Sequence, residues 1–291
     1  MELIFKGKLD REYMYRVIKQ VNIYGIKSLT TINLSKMKFA DPYGMIMLLH
    51  LIEQAPNIDL LILPEYQTLT YMKRSMFFKH IREEISFSQD IEDDDYDRLK
   101  NPGNKTLLDI TKMNGKEDII KAVKYVHDQT NNILINDLGY TTEDIGKFSV
   151  LLAENLDNIR RHSESFGYIC AQSYKFRRSN NKYIKVCISD TGIGIKNSFI
   201  NTNVEKIPSN GLSDGAALKL AVIDEQSSKV WKGERGGNGF YGIKQIIKKL
   251  KGYLIIKSGT AQIVVDKNQY KINNNLPFFP GTQIEIFLPC K

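Results

Sequence analysis

Apolar positions along the first ninety residues switch between a period of two and a period of three to four. Leu3 to Lys8 alternates as a strand, and Glu12 to Tyr24 sets Tyr13, Val17, Ile18 and Val21 at helical spacing. Thr30 to Leu34 reads as a second short strand, and Tyr43 to Gln54 as an almost wholly apolar helix. Asp59 to Leu63 is a third strand that ends at Pro64, and Gln67 to His80 is a further helix. This βαβαβα alternation predicts a small sheet with helices packed on it. The pattern then breaks. An acidic run, Glu92-Asp93-Asp94-Asp95, precedes Asn101-Pro102-Gly103-Asn104, which reads as a solvated boundary loop.

Beyond the break, Asp109 to Ile110 reads as an edge strand, and helical patterns cover Glu117 to Leu134 and Thr142 to His162. The second of these opens on Thr141-Thr142-Glu143-Asp144, a cap with acids in the first turn. Alternating strands follow at Tyr168 to Phe176 and Tyr183 to Asp190, joined by the polar turn Arg177 to Asn181. Helices are expected over Ser213 to Gln226 and from about Gly239 to Leu250, then strands at Tyr253 to Lys257, Gln262 to Asp266 and Thr282 to Leu288. Helices first and antiparallel-looking strands after describe a two-layer α/β sandwich. The chain is therefore expected to be α+β, with a domain at 1–90, a linker at 91–115 and a second domain at 116–291.

Composition changes little in this picture. A chain of 291 residues with 42% hydrophobic and 25% charged side chains is ordinary globular material, long enough for two domains. No window approaches the ~20 apolar residues of a spanning helix, and the N-terminus lacks a secretory pattern. A cytoplasmic protein with no membrane partner is expected. Cys170, Cys187 and Cys290 are too few and too scattered for a disulfide framework or a zinc site. The net charge of +8 divides as +2, −2 and +8 over the three segments. The basic residues of the last segment are spread rather than clustered, so no nucleic-acid partner is expected.

Four stretches of the C-terminal segment carry chemistry. Glu154 and Asn158 stand at i and i+4 on a helix and share one face. An asparagine amide oxygen suits Mg²⁺, and a carboxylate one turn away is placed to act as a general base. Asp190-Thr191-Gly192-Ile193-Gly194 ends a strand in a D-x-G-x-G turn. A carboxylate there accepts from an exocyclic amine such as that of adenine, and Gly192 and Gly194 let the backbone approach the base. Gly233 to Gly242 is a glycine-rich loop holding Arg235 and a literal G-x-G-x-x-G at Gly237, Gly239 and Gly242. A dinucleotide-binding reading of that loop needs a buried strand before it and an acid about twenty residues on, and neither is evident. Finally, Gly281-Thr282 opens the last strand.

In this order the four stretches resemble the boxes of the GHKL group of ATP-binding domains, which includes gyrase, sensor histidine kinases and anti-sigma-factor serine kinases. The compact C-terminal segment is most similar to the last of these. The resemblance implies ATP and Mg²⁺ as cofactors. It implies that Asn158 holds the magnesium, that Arg161 or His162 lies near the phosphates, and that Asp190, Gly192, Gly194 and Thr282 receive the adenine. Gly237, Gly239, Gly242 and Arg235 would belong to the phosphate-covering loop, with Lys196 to Lys232 as its lid. Within the first segment, Ile32 to Leu49 is similar to the central strand, loop and helix of a STAS domain, the fold of anti-anti-sigma factors. Asp41-Pro42-Tyr43-Gly44 puts Tyr43 where that family carries its phosphorylated serine. This likeness implies the fold and a protein-binding role without the phosphoswitch.

Two activities stay open on these residues: a serine/threonine kinase with Glu154 as base, and an ATP-controlled protein-interaction switch or scaffold. A regulatory protein partner is expected for either, and a homodimer is compatible with both. A sensor histidine kinase would need His127 as phosphoacceptor, and His127 lacks that family's flanking sequence.

Overall fold

The computed structural model describes residues 1–91, 106–114, 117–124, 140–162, 166–175, 182–202, 207, 211–227, 239–266 and 269–289. Two sheets dominate. Strands β1 (Glu2–Leu9), β2 (Thr31–Ala40), β3 (Leu60–Ile62) and β4 (Ser86–Phe87) form a parallel sheet in that order. Helices α1 (Arg11–Tyr24), α2 (Pro42–Gln54) and α3 (Tyr66–Arg74) connect them. The second sheet runs β10-β9-β8-β11-β7-β6-β5. Its strands are β5 (Thr106–Met113), β6 (Gly167–Lys175), β7 (Lys182–Asp190), β8 (Tyr253–Gly259), β9 (Ala261–Val265), β10 (Tyr270–Asn273) and β11 (Phe279–Pro289). Every pairing in it is antiparallel.

One face of the second sheet is covered by helices α5 (Thr142–His162), α7 (Asp214–Val222) and α8 (Gly239–Lys249), with α6 (Gly194–Ile200) at its end. A further helical segment, α4, occupies 117–124. Phe148, Leu152 and Leu156 of α5 pack here with Ile184, Val186 and Ile188 of β7. Alternation along β7 turns Lys185, Cys187 and Ser189 to the opposite face.

That opposite face is not open to solvent. Helices α1, α2 and α3 lie on it, so the N-terminal segment supplies two of four layers, its helices inside and its parallel sheet outside. Tyr168, Cys170, Cys187 and Phe279 share one apolar cluster with Met45, Leu48 and Leu49 of α2. This explains the helix that is hydrophobic all round: α2 is buried from Pro42 to Ile52 because it lies between two sheets. Asp41 caps it, its Oδ1 accepting from Gly44 N at 2.8 Å. Gly44 has to be glycine, since a Cβ there would lie 2.4 Å from the Leu9 carbonyl oxygen.

Polar contacts fasten the layers. Lys185 Nζ lies 2.8 Å from Asp41 Oδ2 and 2.5 Å from Glu285 Oε2, and Arg11 reaches Glu285 Oε1 at 2.8 Å. The Tyr15 hydroxyl donates to Gln262 Oε1 at 2.7 Å, and Asn22 Nδ2 donates to the Phe278 carbonyl at 2.9 Å. Lys112 and the Tyr168 hydroxyl both meet Glu53 Oε1, at 2.6 and 2.8 Å. Tyr71 of α3 bonds Gln172 of β6.

The sequence expectations differ from this structure in particular places. The segment expected as linker contains strand β5, of which Asp109-Ile110 is the middle. Gln67 to His80 is not one helix: α3 stops at Arg74, Met76 takes a left-handed φ of 60°, and a 3-10 turn follows at Phe77–His80. Helix α6 and strands β4 and β10 were not expected. The Asp41–Gly44 turn, where the STAS likeness puts Tyr43 in the phosphoserine position, is covered by the chain's own second sheet, with Tyr43 3% exposed.

One buried lysine has no carboxylate against it. Lys257 Nζ, 1% exposed as a residue, donates to the Gly259 carbonyl at 2.8 Å. Burial pulls its amine from 10.5 down to about 7, with the charge of Asp214 acting the other way. Its unfolded pKa is the higher one, so the cost of charging it is full below pH 7 and is relieved as pH rises toward 10.5. Lys257→Met is therefore expected to stabilise the protein at pH 6–7 by on the order of 3 kcal/mol, net of the lost hydrogen bond. Denaturant melts at pH 6 and pH 9 check this: the gain should shrink at pH 9, and an equal effect at both would discard it.

Candidate functional site

Strands β7, β8 and β11 meet at one end of the antiparallel sheet, and this end gathers two of the four sequence stretches, the D-x-G-x-G turn and Gly281-Thr282. In register, Gln283 lies opposite Ser189, and Thr282 lies opposite Ser258. Asp190 and Gly281-Thr282, far apart in sequence, are thus neighbours. Asp190 Oδ1 accepts from Gly192 N at 2.8 Å, and the Thr282 backbone N–H also donates to this carboxylate. Burial raises the Asp190 carboxyl from 3.8 to about 6, against the pull of those two N–H groups. The residue as a whole keeps some exposure but its carboxyl is desolvated, and at neutral pH it remains mostly ionised.

Glycine is required at this junction. Gly281 has φ 75°, and a Cβ on it would lie 2.1 Å from the Asp190 carbonyl oxygen and 2.6 Å from Oδ1. Gly194 also has φ 75°, with a virtual Cβ 2.8 Å from Ser258 Oγ. Ser258 ties the three loops together: its Oγ accepts from Ile195 N at 3.0 Å and donates to the Gly281 carbonyl at 2.9 Å. Gln283 Nε2 donates to the carbonyls of Asp190 and Pro280 at 3.3 and 2.9 Å. Neither Ser258 nor Gln283 was identified from the sequence. A lone serine or glutamine in a strand carries no pattern, and only strand pairing gives these two their role.

Helix α5 packs on the helix-covered face of this sheet. Thr141 Oγ1 accepts from Asp144 N at 3.1 Å, the N-cap that the sequence indicated. The Tyr140 hydroxyl bonds the Pro289 carbonyl, so the helix starts at the end of β11 remote from Thr282. Asn158 lies ~25 Å along α5 from that anchor, and Thr282 lies ~23 Å along β11. Lys249, at the C-terminus of α8, pairs with Asp144 at the start of α5, so the two helices run antiparallel. The α8 N-terminus at Gly239 therefore comes level with the Glu154–Asn158 turn. Both side chains are half-buried, neither part of the apolar stripe nor fully solvated.

Among the described residues no cluster of His, Cys, Asp and Glu side chains could hold a metal alone. A divalent ion at Asn158 would take its remaining ligands from phosphate oxygens and water. The side chains of Arg161 and His162, and residues Arg235 and Gly237, lie outside the described residues, as do His127 and the acidic run at 92–95. Gly239 and Gly242 fall in the first turn of α8. The helix leads into β8, which pairs antiparallel to both its neighbours, so the parallel βαβ unit of a dinucleotide site is not formed there.

A cleft of about 120 Å³ opens beside the D-x-G-x-G turn, lined among others by Lys196, Asn197, Asp214, Phe278 and Pro280. It is smaller than the ~300–1,000 Å³ typical of ligand sites. Asp190, Thr282 and Asn158 do not line it. Gly192, Gly194 and Gly281 do line it. Among the described residues, no helix is long and apolar enough to cross a membrane. No protein-family model and no curated protein matches this sequence.

Proposed function

We propose that this chain binds ATP with Mg²⁺ between α5, the start of α8 and the Asp190–Thr282 end of the sheet, and that it works as a GHKL-type regulatory switch. The observation that carries this reading is the meeting of Asp190 with Gly281-Thr282 across β7 and β11. An ionised carboxylate beside glycines that admit no Cβ is suited to an adenine amine. Asn158 is the magnesium ligand in this reading, and the backbone N–H groups of the first turn of α8 receive phosphate oxygens.

The second reading is a serine/threonine kinase with Glu154 as general base, one turn from Asn158 and half-buried. Its substrate would be another protein, since the turn that would be the internal target carries Tyr43 and is covered by the second sheet. That covering favours the switch.

Saturating ATP with Mg²⁺, at about a hundred times Kd, is expected to stabilise the protein by about 2.7 kcal/mol. Chelation with EDTA and Asn158→Ala should each remove most of that gain. A thermal shift indifferent to both would discard the magnesium assignment, and no shift with the native chain would discard nucleotide binding. Incubation with γ-labelled ATP and extract separates the two activities: label on a partner serine supports the kinase, and free phosphate alone supports the switch.

A further inference from the structure

We propose that Cys170 and Cys187 are a redox-active dithiol, closing to a cross-strand disulfide when the N-terminal layer lifts from the antiparallel sheet. The two residues are direct register partners in the β6–β7 ladder. Residues so placed have Cα atoms about 4.5–5.5 Å apart, within the ~4.4–6.8 Å that a disulfide spans. Directly opposed residues point to the same face of a sheet. Both side chains are free thiols in the apolar cluster beneath α2, at 0% and 1% exposure.

Two features decide how this pair behaves. The covering layer closes it: no oxidant reaches sulfur while α2 lies on β6 and β7. Burial also pushes both thiols up, away from the reactive thiolate. The layer is held by that apolar cluster together with separable polar contacts, among them Arg11–Glu285 and Tyr15–Gln262. Once it lifts, Lys185, two residues along β7 from Cys187, is left to favour the Cys187 thiolate, which it already does in the closed form.

The reaction needs an oxidant of the small-disulfide class, such as oxidised glutathione. The Cys187 thiolate attacks one glutathione sulfur, forming a mixed disulfide and releasing glutathione thiolate, which takes up a proton. The Cys170 thiolate then attacks the Cys187 sulfur, and the second glutathione leaves. Two thiols lose two electrons and two protons, and one glutathione disulfide is reduced to two thiols.

The full chain in a Cys290→Ser background is incubated with oxidised glutathione, alkylated, and digested without reductant for mass spectrometry. The expected product joins the Cys170 and Cys187 peptides, lighter by two hydrogens and carrying no glutathione. Arg11→Ala should speed its formation at least about tenfold, in line with loss of a partly buried ion pair. Tyr15→Phe, a milder change, should speed it a few-fold. Stable glutathione adducts as the end product, or no linkage in any of the three chains, would overturn the dithiol. Linkage at one rate in all three would overturn the gating by the N-terminal layer.

Discussion

Lys185→Met is expected to cost on the order of 3–5 kcal/mol of folding stability. Lys185 is 4% exposed and neutralises two carboxylates, Asp41 on the N-terminal layer and Glu285 on β11. Burial alone would pull its amine down, but Glu285 and Asp41 hold it well above its ordinary value. Removing the amine leaves Glu285 with Arg11 and leaves Asp41 buried without a cation. The penalty is the desolvation of a carboxylate that has lost its partner, more than the worth of the pair itself. Two signatures identify this cause. Added salt should not restore stability, because a buried pair is poorly screened. Acid should: burial already raises the Asp41 carboxyl against the pull of Lys185, and losing the amine raises it further, so the added cost is full above that pKa and fades as the group protonates. Calorimetry of both chains between pH 4 and pH 7 checks the prediction. A loss below about 1 kcal/mol is the surface-pair outcome, and it would mean that the two sheets are not held together through Lys185.

Asp190→Asn is expected to act in the opposite direction on the ligand-free protein. The folded carboxyl titrates at about 6 against 3.8 for the ordinary group, so its ionised form is disfavoured by folding. The sign follows from linkage. Between those two values the folded state holds more protons, so the cost is complete above pH 6 and disappears below pH 4. Asparagine keeps an oxygen to accept from Gly192 and Thr282 and carries no charge. It should raise stability at pH 7 by on the order of 2–3 kcal/mol, with the gain vanishing toward pH 4. The same change puts an N–H₂ donor where an adenine amine would donate, so ATP-dependent stabilisation should be lost. A residue kept for structure would not show this pairing of gained stability and lost binding. If Asp190→Asn destabilises the apo chain, the carboxylate is structural; if ATP still shifts its melting point as in the native chain, Asp190 does not read the base.

Much of the architecture was legible because period and punctuation are local. The alternation in Tyr183 to Asp190, the Thr141 cap and the apolar stripe of α5 each depend on residues within a turn or two. The misses have physical causes of the same kind. β4 is two residues long, and β10 has a solvated pattern that no periodicity distinguishes from a loop. Helix α3 ends early because Met76 adopts a left-handed backbone, which a methionine does not advertise. One signal went unused: a thirteen-residue helix apolar on every side, α2, requires cover on every side. The Lys185 and Glu285 positions gave no such warning, since a charge in a strand reads as its solvent face.

By itself the sequence determined most of the elements and their order, because propensity, capping and glycine turns act over a few residues. It also ended a strand at Asp190, as observed, and opened the last strand at Gly281-Thr282, whereas that strand starts two residues earlier, at Phe279. Only the tertiary structure decided that those two strands are neighbours, that Ser258 and Gln283 brace their ends, and that the N-terminal segment lies over the back of the sheet. Such facts rest on pairing between strands nearly a hundred residues apart and on buried charges neutralised across layers. Both depend on what each segment meets after folding, which no local pattern encodes.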